Sequence, residues 1–133
     1  MIFYHGTIAK YLDDIKARGL IPRAAPGGDA WAKKDRQFQA DFGDLSHTRS
    51  RDNSVYLTPN PMFALWFARM TAYLNQDKPV VLKVDLPPNA PLIPDEEGSS
   101  WPILALRFVG VVSPDRISVM PPNEMNALPQ FPI

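Results

Sequence analysis

Apolar and polar positions predict a strand and then a helix at the start of the chain. Residues 2–4 are a short β-prone run. From Ile8 to Ile15, apolar residues recur at i, i+4 and i+7, which is typical of one stripe of an amphipathic helix. Thr7 is the expected N-cap of this helix, and Gly19 stands where a left-handed residue would end it.

A second strand and a second helix are predicted in the middle of the chain. Residues 54–57 are a β-prone run,. Asn60 and Pro61 are typical of a helix cap and a first helical position. The residues that follow, 62–74, are apolar on most sides, which predicts a buried helix. Residues 80–86 then form the clearest strand of the chain.

The last third of the chain predicts short strands and turns rather than long helices. Ten of the 15 prolines stand at or after Pro87, and proline interrupts helices. Residues 87–101 are an expected loop, strand material follows at residues 103–112, and a last strand is expected at residues 117–120. The proline-rich tail at residues 121–133 is expected to wrap the surface.

Together these elements predict one α+β domain over residues 1–133. No crossover helices stand between the late strands, so we expect antiparallel pairing rather than parallel β-α-β winding. Residues 22–53 carry no sustained hydrophobic period and are an expected long loop,.

Composition excludes several classes of site. Lys+Arg and Asp+Glu both number 14, so no net positive field draws the chain to nucleic acid or anionic lipid,. The chain has no cysteine and only two histidines, which argues against disulfides, thiolate chemistry and multi-histidine metal sites,. No apolar run approaches the ~18 residues of a membrane span, and the start lacks a signal-peptide pattern. We therefore expect a cytoplasmic protein with no metal and no membrane partner.

Chemistry is expected first at His5-Gly6-Thr7, where the first strand ends. This sequence puts an imidazole at a strand end, beside backbone N–H groups that can meet a ligand. The alternative is a strand-end histidine that a neighbouring carbonyl satisfies. Tyr56 on a strand and Phe67 on the apolar helix are a second candidate pair, with core packing as the alternative. No phosphate-binding glycine loop, G-x-S-x-G turn or H-E-x-x-H motif is present,.

The order of these motifs resembles the ADP-ribosyltransferase superfamily. Phe-Tyr-His-Gly-Thr, a helix ending in Gly-Leu, a long loop, Ser-Val-Tyr-Leu-Thr, an apolar helix and Val-Val-Leu-Lys-Val-Asp follow one another over roughly residues 2–120. They are similar to its His-Tyr-Glu branch, which includes poly(ADP-ribose) polymerase catalytic domains, diphtheria-type and DNA-targeting toxins, and tRNA 2′-phosphotransferases. The resemblance implies a split β-sheet sandwich with an NAD cleft and few helices.

The resemblance also implies roles for individual residues. His5 would be a catalytic residue that hydrogen-bonds a ribose of NAD, the co-substrate. The backbone of Gly6 would hold the nicotinamide carboxamide, and Thr7 would touch the adenine-side ribose. Tyr56, also a catalytic position, and Phe67 would sandwich the nicotinamide ring.

The implied activity is mono-ADP-ribosylation of a macromolecule, protein or nucleic acid, with release of nicotinamide. An inhibitory partner protein is also considered. The sequence departs from the family at Ala64, where many members have a serine, and at Trp101, where the late strand lacks the family glutamate. Glu97 is the nearest substitute, as a third catalytic residue, and Glu124 is a weaker one. The alternative is that Glu97 is a surface acid.

Two arginines before the Tyr56 strand, Arg49 and Arg51, are candidates for contact with the NAD pyrophosphate, because arginine binds phosphate in a bidentate manner. The alternative is solvated loop charge. His47 is expected to have no catalytic role. An RNA 2′-phosphotransferase-like enzyme is the second hypothesis, in which Arg107 also matters, and a catalytically inactive NAD- or ADP-ribose-binding module is the third.

Overall fold

The fold is taken from a computed structural model that describes residues 1–21, 54–94 and 105–129. The predicted site residues Arg51 and Glu97 lie outside these ranges, as do Arg49, His47 and Glu96.

The described strands form two small antiparallel sheets, as the sequence predicts. Sheet 1 has the order β1-β3-β6 and sheet 2 the order β2-β5-β4. The strands are β1 (Ile2–Ile8), β2 (Ser54–Leu57), β3 (Pro79–Asp85), β4 (Leu92–Pro94), β5 (Leu106–Val109) and β6 (Ile117–Val119). The short strand β4 lies in a segment where only a loop was predicted.

Three α-helices accompany these strands in the described part of the chain, so the α+β class is confirmed. They are α1 (Leu12–Arg18), α2 (Pro61–Asn75) and α3 (Pro122–Asn126), with 3-10 turns at Ala9–Tyr11 and Pro114–Arg116. Helix α3 lies where an irregular tail was predicted. None of the described helices is both long and apolar enough to cross a membrane.

Helix α2 begins as predicted. The Asn60 side-chain oxygen accepts hydrogen bonds from the backbone N–H groups of Met62 and Phe63, at 3.0 and 3.3 Å. Pro61 occupies the first helical position, where its missing N–H costs no hydrogen bond,. The chain therefore turns from β2 into α2 within a few residues.

The start of the first helix differs from the prediction. Thr7 does not cap a helix, because β1 continues through Ile8 and α1 begins only at Leu12. Pairing with β3 extends to the end of β1. The backbone N–H and C=O groups there form hydrogen bonds in the sheet and not in a helix. Gly19 ends α1 as predicted, with φ +85°, and its N–H donates to the Ile15 carbonyl at 2.7 Å.

Sheet 1 is packed on both faces. One face meets sheet 2 and α1 in an inter-sheet cluster of Phe3, Ile15, Leu20, Val55, Leu57, Leu82, Val84, Leu86 and Val112. The other face meets α2 in a second cluster, the α2 cluster, of Ala64, Leu65, Ala68, Val81 and Met120. Sheet 1 therefore fixes both α2 and sheet 2, which are the elements that carry the candidate site.

The outer side of α2 is more exposed than predicted. Met70, Tyr73 and Leu74 are 40%, 84% and 69% exposed. Only the face with small residues, such as Ala64 and Ala68, is packed against sheet 1. A helix that is apolar on most sides is thus deeply buried on one side only.

Asp77 joins the 3-10 turn that follows β1 to the turn before β3, and this contact should make stability depend on pH. Its carboxylate accepts hydrogen bonds from the backbone N–H groups of Lys78 and Lys10, both at 2.8 Å. These two bonds, that of Lys78 first, hold the pKa of Asp77 below its ordinary value. A lowered pKa in the folded state stabilises the protein above the unfolded-state pKa of about 3.9, and the contribution is lost as pH falls through the folded-state pKa.

We therefore expect Asp77→Asn to lower the free energy of unfolding at pH 7. The gap to the wild type should narrow as pH falls below about 4, because Asp77 of the unfolded chain takes up its proton before Asp77 of the folded protein does. Urea unfolding of both proteins between pH 3 and pH 7 measures this. A gap that stays constant over the whole range would contradict the assigned role.

Candidate functional site

Among the described residues, the two sheets are joined along their β1 and β2 edges at one residue pair. The Tyr4 N–H donates to the Thr58 carbonyl at 2.7 Å, and the Thr58 N–H donates to the Tyr4 carbonyl at 3.0 Å. This pair is an isolated antiparallel bridge. Beyond it, β1 and β2 belong to different sheets, so the strands separate into a split.

His5 binds the backbone where the split opens. An antiparallel ladder continued by two residues would place Gly6 opposite Tyr56. Instead, the Tyr56 carbonyl lies 2.7 Å from Nδ1 of His5. A carbonyl only accepts hydrogen bonds, so Nδ1 carries the proton, and in the neutral ring Nε2 is then an acceptor. The alternative expected from sequence, a histidine satisfied by a neighbouring carbonyl, is therefore what the structure shows at Nδ1.

Gly6 turns its peptide groups toward the split. Hydrogen-bonding groups of alternate residues in a strand point to the same edge. The N–H and C=O of Tyr4 point to Thr58, so those of Gly6 point to the same side. This orientation offers one donor and one acceptor, next to the imidazole of His5.

A side chain at position 6 would collide with α2. A Cβ placed on Gly6 would lie 2.2 Å from the backbone oxygen of Ala64 and 3.0 Å from the backbone nitrogen of Ala68. The close approach of α2 to β1 therefore requires glycine at this position. It also explains Ala64, which is 2% exposed and packed between helix and sheet.

Tyr56 and Arg107 lie side by side on sheet 2. They are register partners in the β2–β5 pair, and directly opposite side chains contact each other across a sheet. Val55 and Leu57 face the inter-sheet cluster, so Tyr56 and Arg107 face the other side. Tyr56 stands two residues before Thr58 and thus lies on the side of Tyr4 and α2.

Phe67 and Thr7 are two further described residues that are predicted to bind NAD. Phe67 is half-buried on α2 and directly precedes Ala68, which approaches Gly6. Thr7 is 0% exposed, and its buried hydroxyl makes no hydrogen bond. The split thus brings Nδ1 of His5 to the backbone of Tyr56 and places Gly6 beside His5, with Phe67 on the adjacent helix, whereas Thr7 lies inside the packed structure.

Glu124, the weaker candidate for the carboxylate, serves the packing of α3. Its two carboxylate oxygens lie 2.7 and 2.9 Å from Nζ of Lys83. Lys83 stands opposite Tyr4 in the β1–β3 pair. This ion pair attaches α3 to sheet 1. Among the described residues, no group of three or more acidic, histidine or cysteine side chains could hold a metal ion.

Comparisons of the chain with family models, curated proteins and solved structures give no match. Function is therefore inferred from the residues at the split. Sequence reasoning treated Arg107 only as part of a second hypothesis and did not place it beside Tyr56. The signal available was a single arginine inside an otherwise uncharged strand.

Two substitutions at His5 should separate the roles of its two ring nitrogens. His5→Ala removes the bond to the partly buried Tyr56 carbonyl and should lower the free energy of unfolding by about 1–3 kcal/mol, the usual result of leaving such an acceptor unpaired,. His5→Asn carries an amide N–H close to the position of Nδ1 and should retain most of that stability.

Denaturant unfolding of the two variants and the wild type tests this pair. Equal destabilisation by alanine and asparagine would contradict the assigned role of Nδ1.

Proposed function

We propose that the chain is an NAD-dependent mono-ADP-ribosyltransferase that binds NAD in the split between β1 and β2. The observation that carries this proposal is the replacement of a ladder hydrogen bond by the bond between His5 and the Tyr56 carbonyl, 2.7 Å long. It leaves the Gly6 peptide groups facing the split beside an imidazole nitrogen and a tyrosine. The resemblance in motif order supports the same assignment.

The donor and acceptor of Gly6 are complementary to a primary carboxamide. A carboxamide has an N–H group and a carbonyl oxygen in one plane, so it can bond to Gly6 in place of the missing strand. The attached nicotinamide ring is flat and cationic, and an aromatic face such as that of Tyr56 suits it. Phe67 on the adjacent helix would supply the second face.

In the same pose, Nε2 of His5 accepts a hydrogen bond from a ribose hydroxyl. The glycosidic bond between the ribose C1′ and the nicotinamide nitrogen then breaks, and its electron pair goes to the ring, which leaves as neutral nicotinamide. A nucleophile of the acceptor attacks C1′ and loses its proton. Positive charge that develops on the ribose is stabilised by a nearby carboxylate, the role proposed for Glu97.

An RNA 2′-phosphotransferase-like activity is the second candidate. The position of Arg107 opposite Tyr56 favours it, because a guanidinium suits a phosphate group. Incubation with labelled NAD and cell lysate, and separately with 2′-phosphorylated RNA, distinguishes transfer of ADP-ribose from transfer of phosphate. Binding of NAD without either transfer would assign the chain as a binding module.

The binding proposal predicts that NAD affinity depends on His5 and Tyr56. His5→Asn keeps the donor at Nδ1 but removes Nε2, so we expect NAD to bind about tenfold more weakly, which corresponds to one hydrogen bond. Tyr56→Ala should weaken binding, whereas Tyr56→Phe, which keeps the ring, should not. Titration calorimetry measures the dissociation constants.

If His5→Asn and Tyr56→Ala both fold and bind NAD as tightly as the wild type, the split is not the NAD site. Circular dichroism of each variant controls for folding.

The catalytic proposal predicts that removing the charge of one carboxylate slows turnover without weakening the binding of NAD. Glu97→Gln should keep NAD affinity and slow nicotinamide release by ~10²-fold or more, the scale of one transition-state charge contact. Glu96→Gln is the matched control and should change little. Nicotinamide release measured by chromatography decides this, and equal rates for wild type and Glu97→Gln would remove Glu97 from the mechanism.

A further inference from the structure

A cavity of about 310 Å³ lies beyond the end of β1 that is farther from the split. At that end, Ile2 pairs with Asp85, which directly precedes the cavity residue Leu86. His5 and Gly6, which stand at the split, lie further along the same strand. None of the described residues proposed to bind NAD lines the cavity. Its volume is at the lower end of the range of about 300–1,000 Å³ that is usual for small-molecule sites.

Backbone hydrogen bonds hold two sides of this cavity in place. On one side, the turn over residues 87–91 contains three prolines, and the Ala90 N–H closes it by donating to the Pro87 carbonyl at 3.0 Å. On the other side, Val112 and Leu20 exchange two backbone hydrogen bonds of 3.0 and 2.9 Å. Because proline restricts the backbone, a ligand would enter a site that is already formed, and little ordering would oppose its binding.

The inner surface of the cavity is mainly apolar. Leu86 and Val112 belong to the inter-sheet cluster, and Phe108 packs against it. Val111, which also lines the cavity, is 51% exposed. A ligand with an apolar body would remove this surface from water, which favours binding.

Arg116 is the only formally charged residue among the described residues that line the cavity. Its side chain is exposed, and Nη1 donates to the Asp85 carbonyl at 3.3 Å. A guanidinium has five N–H donors, and the ion pairs of the described residues do not include Arg116. The cavity therefore has one cation at its edge and an apolar interior.

The two acidic neighbours of Arg116 do not line the cavity. Asp85 lies near the amino group of Met1, at 3.5 Å. The Asp115 carboxylate accepts a hydrogen bond from the Ser113 hydroxyl. That hydrogen bond is the largest cause of the lowered pKa of Asp115, and the charge of Arg116 is the smallest, so the charges of Asp115 and Arg116 interact only weakly.

We propose that this cavity binds a small organic acid, with its apolar body against Phe108 and Val111 and its carboxylate hydrogen-bonded to Arg116. A guanidinium and a carboxylate form a strong charged hydrogen bond. One guanidinium balances the single charge of a carboxylate, whereas a phosphate monoester carries close to two charges at neutral pH. An organic cation of the same size is repelled by Arg116. This site is separate from the proposed NAD site and does not rest on it.

The test uses ligands that share one chain length and differ in charge. Binding of octanoate, 1-octanol and octylammonium is measured by calorimetry at neutral pH, below the concentration at which octanoate forms micelles, and acetate supplies the charge without the chain. Arg116→Gln removes the cation from the cavity. Arg69→Gln, at an exposed arginine on α2, is the matched control.

Glycine resonances locate the bound ligand. Gly110 directly precedes the cavity residue Val111, whereas Gly6 stands at the split. In ¹⁵N-glycine-labelled protein, octanoate should shift the amide resonance of Gly110 and leave that of Gly6 unchanged.

We expect octanoate to bind the wild type at one saturable site, about tenfold more tightly than 1-octanol, with no binding of octylammonium or acetate. Arg116→Gln should weaken octanoate by about tenfold, the scale of one charged hydrogen bond, and should change the affinity for 1-octanol by less than about twofold. Arg69→Gln should match the wild type with every ligand.

The proposal is overturned if octanoate does not bind, if it shifts Gly6 and not Gly110, or if Arg116→Gln leaves its affinity unchanged or weakens octanoate and 1-octanol equally. If Arg116→Gln does not fold, Val111→Asp replaces it, since an added negative charge in the cavity should weaken octanoate at least about tenfold, and unchanged affinity overturns the proposal. A wild type that binds NAD but not octanoate overturns this proposal alone, and one that binds octanoate but not NAD overturns the proposed function alone.

Discussion

The candidate site depends on where backbone pairing between β1 and β2 stops. Tyr4 and Thr58 exchange both of their hydrogen bonds, and the next pair of the ladder is replaced by a side-chain bond from His5 to the Tyr56 carbonyl. A fully paired ladder would use the N–H and C=O of Gly6 and leave no polar backbone for a ligand. The proposed binding site therefore exists because β1 and β2 pair at Tyr4 and Thr58 but not at the next pair of the ladder.

Helix α2 imposes the second constraint at this position. Asn60, two residues after Thr58, caps the start of α2. Helix α2 then crosses the face of β1 so closely that Gly6 has no room for a Cβ. The same glycine therefore serves packing on one face of the strand and faces the split with its peptide groups. A structural role and a binding role at Gly6 are compatible, because one uses its α-carbon and the other its backbone polar groups.

Much of the fold could be predicted because its signals are local. Asn60 and Pro61 start α2 through contacts within three residues, and Gly19 ends α1 through its own φ angle. Thr7 was wrongly expected to cap a helix because the competing interaction, pairing with β3, comes from residues about 70 positions away. The exposed outer side of α2 was also missed, since composition does not say which side of an apolar helix is covered.

The candidate site was predictable in its residue types and not in its geometry. The resemblance singled out His5, Gly6 and Tyr56, but the hydrogen bond that links His5 to residue 56 depends on how two sheets meet. The position of Arg107 beside Tyr56 is known only from the register of β5 against β2. Register between distant strands depends on tertiary packing, so a motif search along the chain does not find such a neighbour.

The central claim is that the buried peptide groups of Gly6 face the split between β1 and β2 and form hydrogen bonds with a ligand there. With only seven glycines in the chain, ¹⁵N-glycine labelling gives a simple amide spectrum in which Gly6 can be assigned. The account predicts that the Gly6 amide exchanges with solvent in the free protein, and that NAD shifts its resonance and slows its exchange. A Gly6 amide that is already protected in the free protein and does not respond to NAD would contradict it.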